Sequence, residues 1–302
     1  LHTTYFCALC NDLLHLVLVY CIIDTVYINK RGNNNMKKLL LLGLMTLGLA
    51  FNVNADGLSV SGSINYMISN SDDASGNPIM KAENNGSAIA LDWSEVLAEG
   101  STGITGFAKL EVGIDADDSG SDTFDSKLAY AGADLGTLGS ISGGRQSHPH
   151  SGVSKTGIFN AFGSNAVFTY GSRSSNSVKY SNSIGPISSD FMAVIDGATG
   201  TDGMDVMDGS ASMDLGPIAV SAGYADDQVN TAKYTVVSGS TTLGGLEVAG
   251  TYSMKDATTD LTGMEATGSY TVDGVTLAVG WGDKEGTATY MTYGASADLS
   301  GS

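Results

Sequence analysis

The chain has few of the residues that stabilise small secreted domains or form membrane helices. All three cysteines lie before residue 22, so the rest of the chain cannot form a disulfide. Only 4 of the 302 residues are proline, and all four fall in predicted loops or turns. After Ala55 no apolar run is long enough for a membrane helix. A chain of this kind depends on a hydrogen-bonded β-ladder, and it can cross a membrane only as a barrel.

The first 55 residues have the pattern of a leader. Met36 and two lysines precede an apolar run from Leu39 to Phe51, and small residues follow up to Ala55, as in a secretory signal peptide. We expect cleavage after Ala55 and no contact between residues 1–55 and the barrel. The expected divisions are an upstream extension over 1–35, a signal peptide over 36–55 and one barrel domain over 56–302.

Apolar and polar residues alternate along most of the chain after Ala55. Between Ile218 and Tyr224 the large apolar side chains share one face and small residues the other, which is the period of a β-strand. Longer loops rich in Asp, Gly, Ser and Thr alternate with short turns, which we expect at one end of the fold. These turns are 135–139, 184–187, 215–218, 243–246 and 272–275.

The pattern predicts an all-β fold, a transmembrane antiparallel β-barrel with about fourteen strands in this chain. Six aromatic residues are assigned to its apolar face: Tyr66, Tyr130, Tyr180, Tyr224, Tyr252 and Trp281. An acidic, Asn-rich loop is expected from residue 70 to Asn85. The predicted strands are 57–69, 86–94, 103–113, 125–134, 139–146, 172–182, 187–195, 205–215, 217–225, 231–239, 245–253, 262–272, 274–282 and 287–299.

One connection, from Gln146 to Gly171, is about twice as long as any other after Ala55. A loop of this length inside a compact domain usually serves a function. It contains His148 and His150, which are the only histidines beyond the leader.

Four segments of the chain resemble the general Gram-negative porins. They are LSVSG at 58–62, GFAKLE at 106–111, LGSISGGRQ at 138–146, and Arg173 with NSVKYS at 176–181. The resemblance implies a sixteen-stranded, homotrimeric barrel in the outer membrane through which ions and small hydrophilic solutes diffuse passively. It also implies that Gln146 to Gly171 is an inward-folded constriction loop. No enzymatic activity, cofactor or nucleic-acid partner is expected.

The chain departs from the porin pattern in three places. It stops at Ser302 inside a predicted turn, without a terminal aromatic residue, so we expect one hairpin to be missing. The second strand has Ser87-Ala88-Ile89 where porins often carry a basic residue, and the predicted constriction loop has no acidic residue.

The stretch from Leu135 to Ser189 contains no Asp or Glu. Cations at a narrow aqueous neck attract anions, so this stretch indicates a weak preference for anions. The alternative is that these are ordinary solvated loop charges. The basic residues of the stretch are Arg145, Lys155, Arg173 and Lys179.

Strand parity assigns several charges to the lumen. Lys179 is on the other face of its strand from Val178 and Tyr180, so we expect it to face inward. We expect the same of Asp92, Lys109 and Glu111. Arg145 has the parity of Ile141 and would face lipid, which is costly for an arginine. We therefore expect a β-bulge at Gly143-Gly144 to turn Arg145 inward.

Other chemistry is less well supported by the sequence. His148 and His150 are interpreted as a solvated pair at the constriction; the alternatives are metal ligands or, with Ser147 or Ser151, the remnant of a hydrolase. Asp115, Asp117 and Ser119 resemble the start of an EF-hand loop, but position 12 is Ser126 and an acidic surface loop is the preferred interpretation. An outer-membrane hydrolase and a calcium-stabilised adhesin remain the alternative functions.

Overall fold

The computed structural model is almost entirely β-structure, and it describes residues 18–24, 44–55, 57–72, 78–98, 103–117, 122–157, 166–198, 200, 203–286 and 288–298. Two 3-10 helices, Gly136–Leu138 and Pro149–Gly152, interrupt the strands. No helix among the described residues is long and apolar enough to cross a membrane. The strands are β1 (Leu18–Asp24), β2 (Leu44–Ala55), β3 (Leu58–Asp72), β4 (Pro78–Asn84), β5 (Ala88–Ala98), β6 (Ile104–Ile114), β7 (Phe124–Asp134), β8 (Ser140–Ser147), β9 (Arg173–Ile184), β10 (Ile187–Val194), β11 (Val206–Leu215), β12 (Ile218–Asp227), β13 (Ala232–Leu243), β14 (Leu246–Asp256), β15 (Leu261–Val272), β16 (Val275–Lys284) and β17 (Ala288–Asp298).

All seventeen strands belong to one antiparallel sheet. From β5 to β17 each strand pairs with its neighbour in the chain, and β3 pairs with both β4 and β5. β1 pairs with β17 and β2, and β2 pairs with β3, so the pairings return to the strand from which they started. The antiparallel β-fold is confirmed, and all fourteen predicted strands are present with shifts of a few residues at their ends.

The five predicted short turns are confirmed, and the up-and-down order of the strands places them together at one end, here called the turn end. The turn between β15 and β16 illustrates the local chemistry. Asp273 and Gly274 have φ angles of 50° and 78°, the left-handed conformation that a two-residue hairpin requires. The opposite end carries the longer connections and is here called the loop end.

The predicted loop from residue 70 to 85 is wrong in part, because it contains β4. β4 and β5 pair with successive parts of β3, so they form two halves of one interrupted strand. At the interruption, the Ser87 hydroxyl accepts from the Asn65 amide at 2.9 Å and donates to the Asn65 carbonyl at 3.3 Å. The Asp- and Asn-rich composition concealed this strand, which begins at a proline that has no ladder hydrogen bond to donate.

The distribution of apolar and polar side chains is the reverse of that in a soluble β-sandwich, because the large apolar side chains are exposed and the polar ones are buried. In β12, Val220 and Tyr224 are exposed on one face, whereas Ser221 and Ala225 are buried on the other. We call the apolar exposed face the outer face and the polar face the inner face. Tyr180, Tyr224, Tyr252 and Trp281 lie on the outer face as predicted, and the side chain of Tyr66 lies outside the described residues.

The assignment of Tyr130 to the apolar face is wrong. A register irregularity between β6 and β7 follows Glu111, and Tyr130 lies opposite Lys109 on the inner face. Its ring meets Phe107 edge-on, with 6.4 Å between the ring centroids. Strand parity alone could not place this residue, because the irregularity changes the relation between the two strands.

The expectation that residues 1–55 make no contact with the barrel is also wrong for the described part of the leader. β2 pairs with β3 from Leu47 to Ala55, and β1 pairs with β17 from Tyr20 to Asp24. The edges of β3 and β17 offer backbone donors and acceptors, and an apolar stretch of the same chain can satisfy them. Residues 1–17 and 25–43 lie outside the described residues.

Candidate functional site

The segment between β8 and β9 lies on the inner face of the sheet. Its described parts are residues 148–157, which lead away from the end of β8, and residues 166–172, which lead back to β9. Side chains of successive strands bind its backbone and side chains in order along the segment. The wall residues that bind it are Asp208 of β11, Ser221 of β12, Ser238 of β13, Thr251 and Ser253 of β14, Glu265 of β15 and Tyr290 of β17.

The middle of the segment is fixed by both polar and apolar contacts. The Ser221 hydroxyl donates to the Val153 carbonyl at 2.8 Å, and the Lys155 amide donates to the Ser238 hydroxyl at 2.8 Å. Val153 from the outgoing limb and Val167 from the returning limb pack against Val236. Both limbs therefore rest against β13, and the inward folding predicted for Gln146 to Gly171 is present in the described parts.

Glu265 holds the far end of the segment. One carboxylate oxygen accepts from the Thr156 hydroxyl at 2.5 Å, and the other accepts from the Ala166 amide at 2.8 Å and from the Tyr290 hydroxyl. Thr156 precedes the undescribed residues 158–165 and Ala166 follows them. A single buried carboxylate thus joins the two described parts of the segment to the barrel wall.

Two glycines allow the segment to approach the wall. A Cβ added at Gly263 would lie 1.9 Å from the Ala166 carbonyl oxygen, and one at Gly223 would lie 2.8 Å from the Cα and Cβ of His150. Neither separation is possible for a real side chain. The close contact of segment and wall therefore depends on glycine at both positions.

The interpretation of His148 and His150 as a solvated pair is wrong, because both are buried at the root of the segment. Each ring places Nδ1 2.7 Å from Oδ2 of Asp208, and the His150 amide donates to Oδ1 at 3.0 Å. Pro149, with its fixed φ, separates the two histidines and starts a 3-10 turn that lies against β10, β11 and β12. The histidines can be buried against the inner face of the sheet because the Asp208 carboxylate on β11 accepts a hydrogen bond from each ring.

Three potential metal ligands converge here, but their hydrogen bonds do not fit a metal. The Tyr170 amide donates to Nε2 of His150 at 2.8 Å, so this nitrogen carries a lone pair and Nδ1 carries the proton that Asp208 accepts. A metal on Nδ1 would move the ring proton to Nε2, where it would face the Tyr170 N–H. The described residues are better suited to a hydrogen-bonded anchor than to a metal centre.

Asp92 and Lys109 form an ion pair on the inner face, with 2.9 Å between Nζ and Oδ1. They lie opposite each other on β5 and β6, and Glu111 lies two residues further along β6. The strands therefore bring together the three charges that parity assigned to one face.

The other predicted cations are distributed along the segment and β9. The Lys155 backbone is fixed to β13, and its half-buried side chain forms no ion pair among the described residues. Lys179 lies between Ser142 of β8 and Met192 of β10, both of which are buried on the inner face. Arg173, at the loop end, borders a hollow of about 380 Å³ together with Tyr170 and Ser174.

The predicted turning of Arg145 by a bulge in β8 is wrong. A register irregularity is present after Gly144, but the extra residue is in β9, where Asn176 has a φ of 53°. Arg145 stays in line with Ile141 and opposite Ala129. Its guanidinium donates to the Ser126 carbonyl at 3.0 Å and to the Ser175 hydroxyl at 3.2 Å. Satisfied hydrogen bonds, rather than a change of face, accommodate the charge.

The predicted calcium ligands are only partly described. The Asp117 carboxylate accepts from the Asn84 amide at 2.7 Å, which ties this loop to the end of β4. The Asp117 amide in turn donates to Asp115 at 3.4 Å. Ser119 lies outside the described residues.

Sequence reasoning missed three residues that hold the segment: Asp208, Glu265 and Tyr290. Asp208 and Glu265 were detectable as acidic residues on the inward parity of β11 and β15. Their partners were not detectable, because 58 residues separate Asp208 from His150 and 109 separate Glu265 from Thr156.

The comparisons with known proteins agree with this geometry. A family model described as Gram-negative porin matches residues 42–301. None of the curated proteins compared with the chain matches it.

Among solved structures, the anion-selective porin from Comamonas acidovorans is 20% identical, with a TM-score of 0.66 over 80% of this chain and 84% of that one. OmpF of Salmonella typhi, in complex with daunomycin, is 14% identical, with a TM-score of 0.58 over 82% of this chain and 85% of that one. A loop-deletion mutant of OmpT from Vibrio cholerae is 15% identical, with a TM-score of 0.55 over 93% and 98%. At these identities the structures establish the shared barrel fold, and the family match extends over most of the chain. The chain belongs to the Gram-negative porins, the outer-membrane barrels that form water-filled channels for passive diffusion.

Proposed function

We propose that this channel passes ions and small hydrophilic solutes with a weak preference for anions. The observation that carries the proposal is the position of Lys155. Its amide is fixed to Ser238 on the inner face, within a segment that contains no acidic residue. A permeating ion that passes this segment meets its positive charge at short range.

Charges at the rim have less effect than charges at the neck. The chain after Ala55 is strongly acidic, and many of its acids lie in loops such as Asp115 to Asp125. At physiological salt the Debye length is about 8 Å, so charges on a wide, wet rim are largely screened. Charges in a narrow passage between low-dielectric walls are screened less.

Compensating acids keep the expected preference weak. Asp92 is already paired with Lys109 at 2.9 Å, which neutralises most of the charge of both residues. Asp208 and Glu265 are buried behind the segment and hydrogen-bonded to it. These two carboxylates reduce the positive potential near the segment without lining the open passage.

Reversal potentials across a salt gradient test the proposal. Replacing Lys155 by Glu should shift the reversal potential towards cation selectivity, and the shift should persist in concentrated salt. Lys233→Glu is the matched control, because Lys233 is an exposed residue at the loop end of β13, outside the segment. Firm cation selectivity in concentrated salt, unchanged by Lys155→Glu, would contradict this position of the segment in the passage.

We further propose that the protein assembles as a homotrimer and reaches the outer membrane after removal of residues 1–55. The leader pattern up to Ala55 supports cleavage, although β1 and β2 pair with β17 and β3 in the uncleaved chain, and the family supports trimer formation. N-terminal sequencing of protein extracted from membranes should begin near Asp56. Retention of Met36 would refute the cleavage, and chemical cross-linking that yields only monomers would refute the trimer.

A further inference from the structure

A serine, a histidine and an aspartate form a hydrogen-bonded chain at the root of the inner segment. The Ser174 hydroxyl lies 2.8 Å from Nε2 of His148, whose Nδ1 lies 2.7 Å from Oδ2 of Asp208. A carboxylate can only accept, so Nδ1 of the neutral ring carries the proton and Nε2 accepts the Ser174 proton. This is the arrangement of nucleophile, general base and orienting carboxylate used in acyl transfer.

We propose that Ser174, His148 and Asp208 form a hydrolytic site for small carboxylic esters, an activity separate from solute diffusion through the channel. Three different strands or segments contribute the residues: β9, the inner segment and β11. Local sequence spacing therefore could not reveal the site.

The aspartate is held firmly enough to orient the base. Asp208 is 4% exposed, and it accepts from the His150 amide and the His150 ring in addition to His148. These donors keep the carboxylate ionised and facing His148. In an acyl-transfer step the carboxylate would stabilise the imidazolium that forms when His148 takes the serine proton.

The serine is accessible, whereas the histidine and aspartate are buried. Ser174 is partly exposed and borders the hollow of about 380 Å³ at the loop end. Ser151, a nearer residue in the sequence, is not the nucleophile, because its hydroxyl donates to the His148 carbonyl at 2.6 Å. A hollow of this size suits a small ester.

Groups that can stabilise a developing negative charge surround the serine. Tyr170 lines the same hollow as Ser174, and burial together with the nearby Asp227 raises the pKa of the Tyr170 phenol. The protonated phenol can donate to an oxyanion. Arg145 and Arg173 also line the hollow, but Asp196 and Asp205 balance their charge, so a neutral ester is the expected substrate.

The reaction needs only water as co-reactant. Ser174 Oγ forms a bond to the ester carbonyl carbon while His148 Nε2 takes the hydroxyl proton. The carbon–oxygen bond to the alcohol breaks, and His148 gives that proton to the leaving oxygen. Water, deprotonated by His148, then attacks the acyl-serine and releases the carboxylic acid, which restores the Ser174 hydroxyl.

The test uses the full chain refolded in detergent, with p-nitrophenyl acetate as substrate and a fluorophosphonate as active-site label. Wild-type protein should hydrolyse the ester, and mass spectrometry should find the label on Ser174. Ser174→Ala should lower the rate about 100-fold or more and abolish labelling. Ser172→Ala is the matched control, an exposed serine two residues away whose substitution should leave both readouts unchanged.

Single-channel conductance separates this proposal from the proposed channel selectivity. Ser174→Ala removes one hydroxyl and should retain the wild-type conductance, which confirms that the barrel is folded. A folded, conducting wild-type protein that neither hydrolyses the ester above the Ser174→Ala background nor accepts the label would overturn the proposal. Labelling of another serine, unchanged in Ser174→Ala, would also overturn it.

Discussion

Removal of the Glu265 carboxylate should loosen the inner segment from the barrel wall. Glu265→Ala deprives the Thr156 hydroxyl, the Ala166 amide and the Tyr290 hydroxyl of a common acceptor. Hydrogen bonds to a charged group each contribute about 1.5–3 kcal/mol. Thr156 keeps a bond to Thr251, and Ala166 keeps one to Tyr290, so the net loss should be about 3–4 kcal/mol rather than the full sum.

A loss of this size increases the fraction of channels in which the segment is detached from the barrel wall. Since 1.4 kcal/mol corresponds to a factor of ten in an equilibrium constant, the detached fraction should rise about 100- to 1000-fold. Planar-bilayer recordings should then show greater open-channel noise and a spread of conductance levels. Glu265→Gln, which keeps one oxygen acceptor, should have an intermediate effect.

Glu247→Ala is the matched control, because Glu247 is an exposed acid near the turn end of β14. It should leave both noise and conductance at wild-type values. If Glu265→Ala folds and yet records like the wild type, the segment is not held by this carboxylate and the reasoning fails.

Four further substitutions test other features of the structure. Gly223→Val should displace the segment, because the new Cβ would clash with His150 2.8 Å away, and conductance should become irregular; Gly250→Val, with no neighbour closer than 3.7 Å, is its control. Lys109→Met should shift the reversal potential towards cation selectivity, because it leaves Asp92 unpaired, and Asp92→Asn should shift it towards anion selectivity. If neither substitution shifts the reversal potential, the Asp92–Lys109 pair does not lie beside the passage. Thr231→Gly should raise the free energy of unfolding by about 1 kcal/mol, since Thr231 has a φ of 53°, and an unchanged or lower urea midpoint would count against that conformation.

The strands could be predicted from sequence because period-two alternation and turn residues act locally. Val272 to Val275 is an example, since an Asp-Gly pair between alternating segments specifies a tight hairpin. β4 could not be predicted, because its short sequence lies in an Asp- and Asn-rich stretch and it depends on β3 for pairing. Tyr130 was misplaced because β7 has one extra residue, Lys127, between Ser126 and Leu128, which shifts the alternation of inward and outward side chains along that strand.

The candidate site was less predictable than the strands. The length of the Gln146 to Gly171 connection and its lack of acids indicated a functional loop, and the cations were found from composition alone. The contacts that bury His148 and His150 involve Asp208 on a distant strand, and no local pattern specifies which inward-facing acid meets which histidine. Burial of a polar pair by a remote partner is a property of the tertiary fold.

The attachment of the inner segment to one side of the barrel separates two properties of the protein. The described hydrogen bonds from residues 150–156 and 166 go to β11 through β15 and to β17, whereas the Asp92–Lys109 pair belongs to β5 and β6. The strands that hold the inner segment in place are thus different from the strands that carry the Asp92–Lys109 charges. Sequence change on β5 and β6 can therefore retune permeation without loosening the inner segment, and homologues can diverge in solute preference while keeping the same mechanical support.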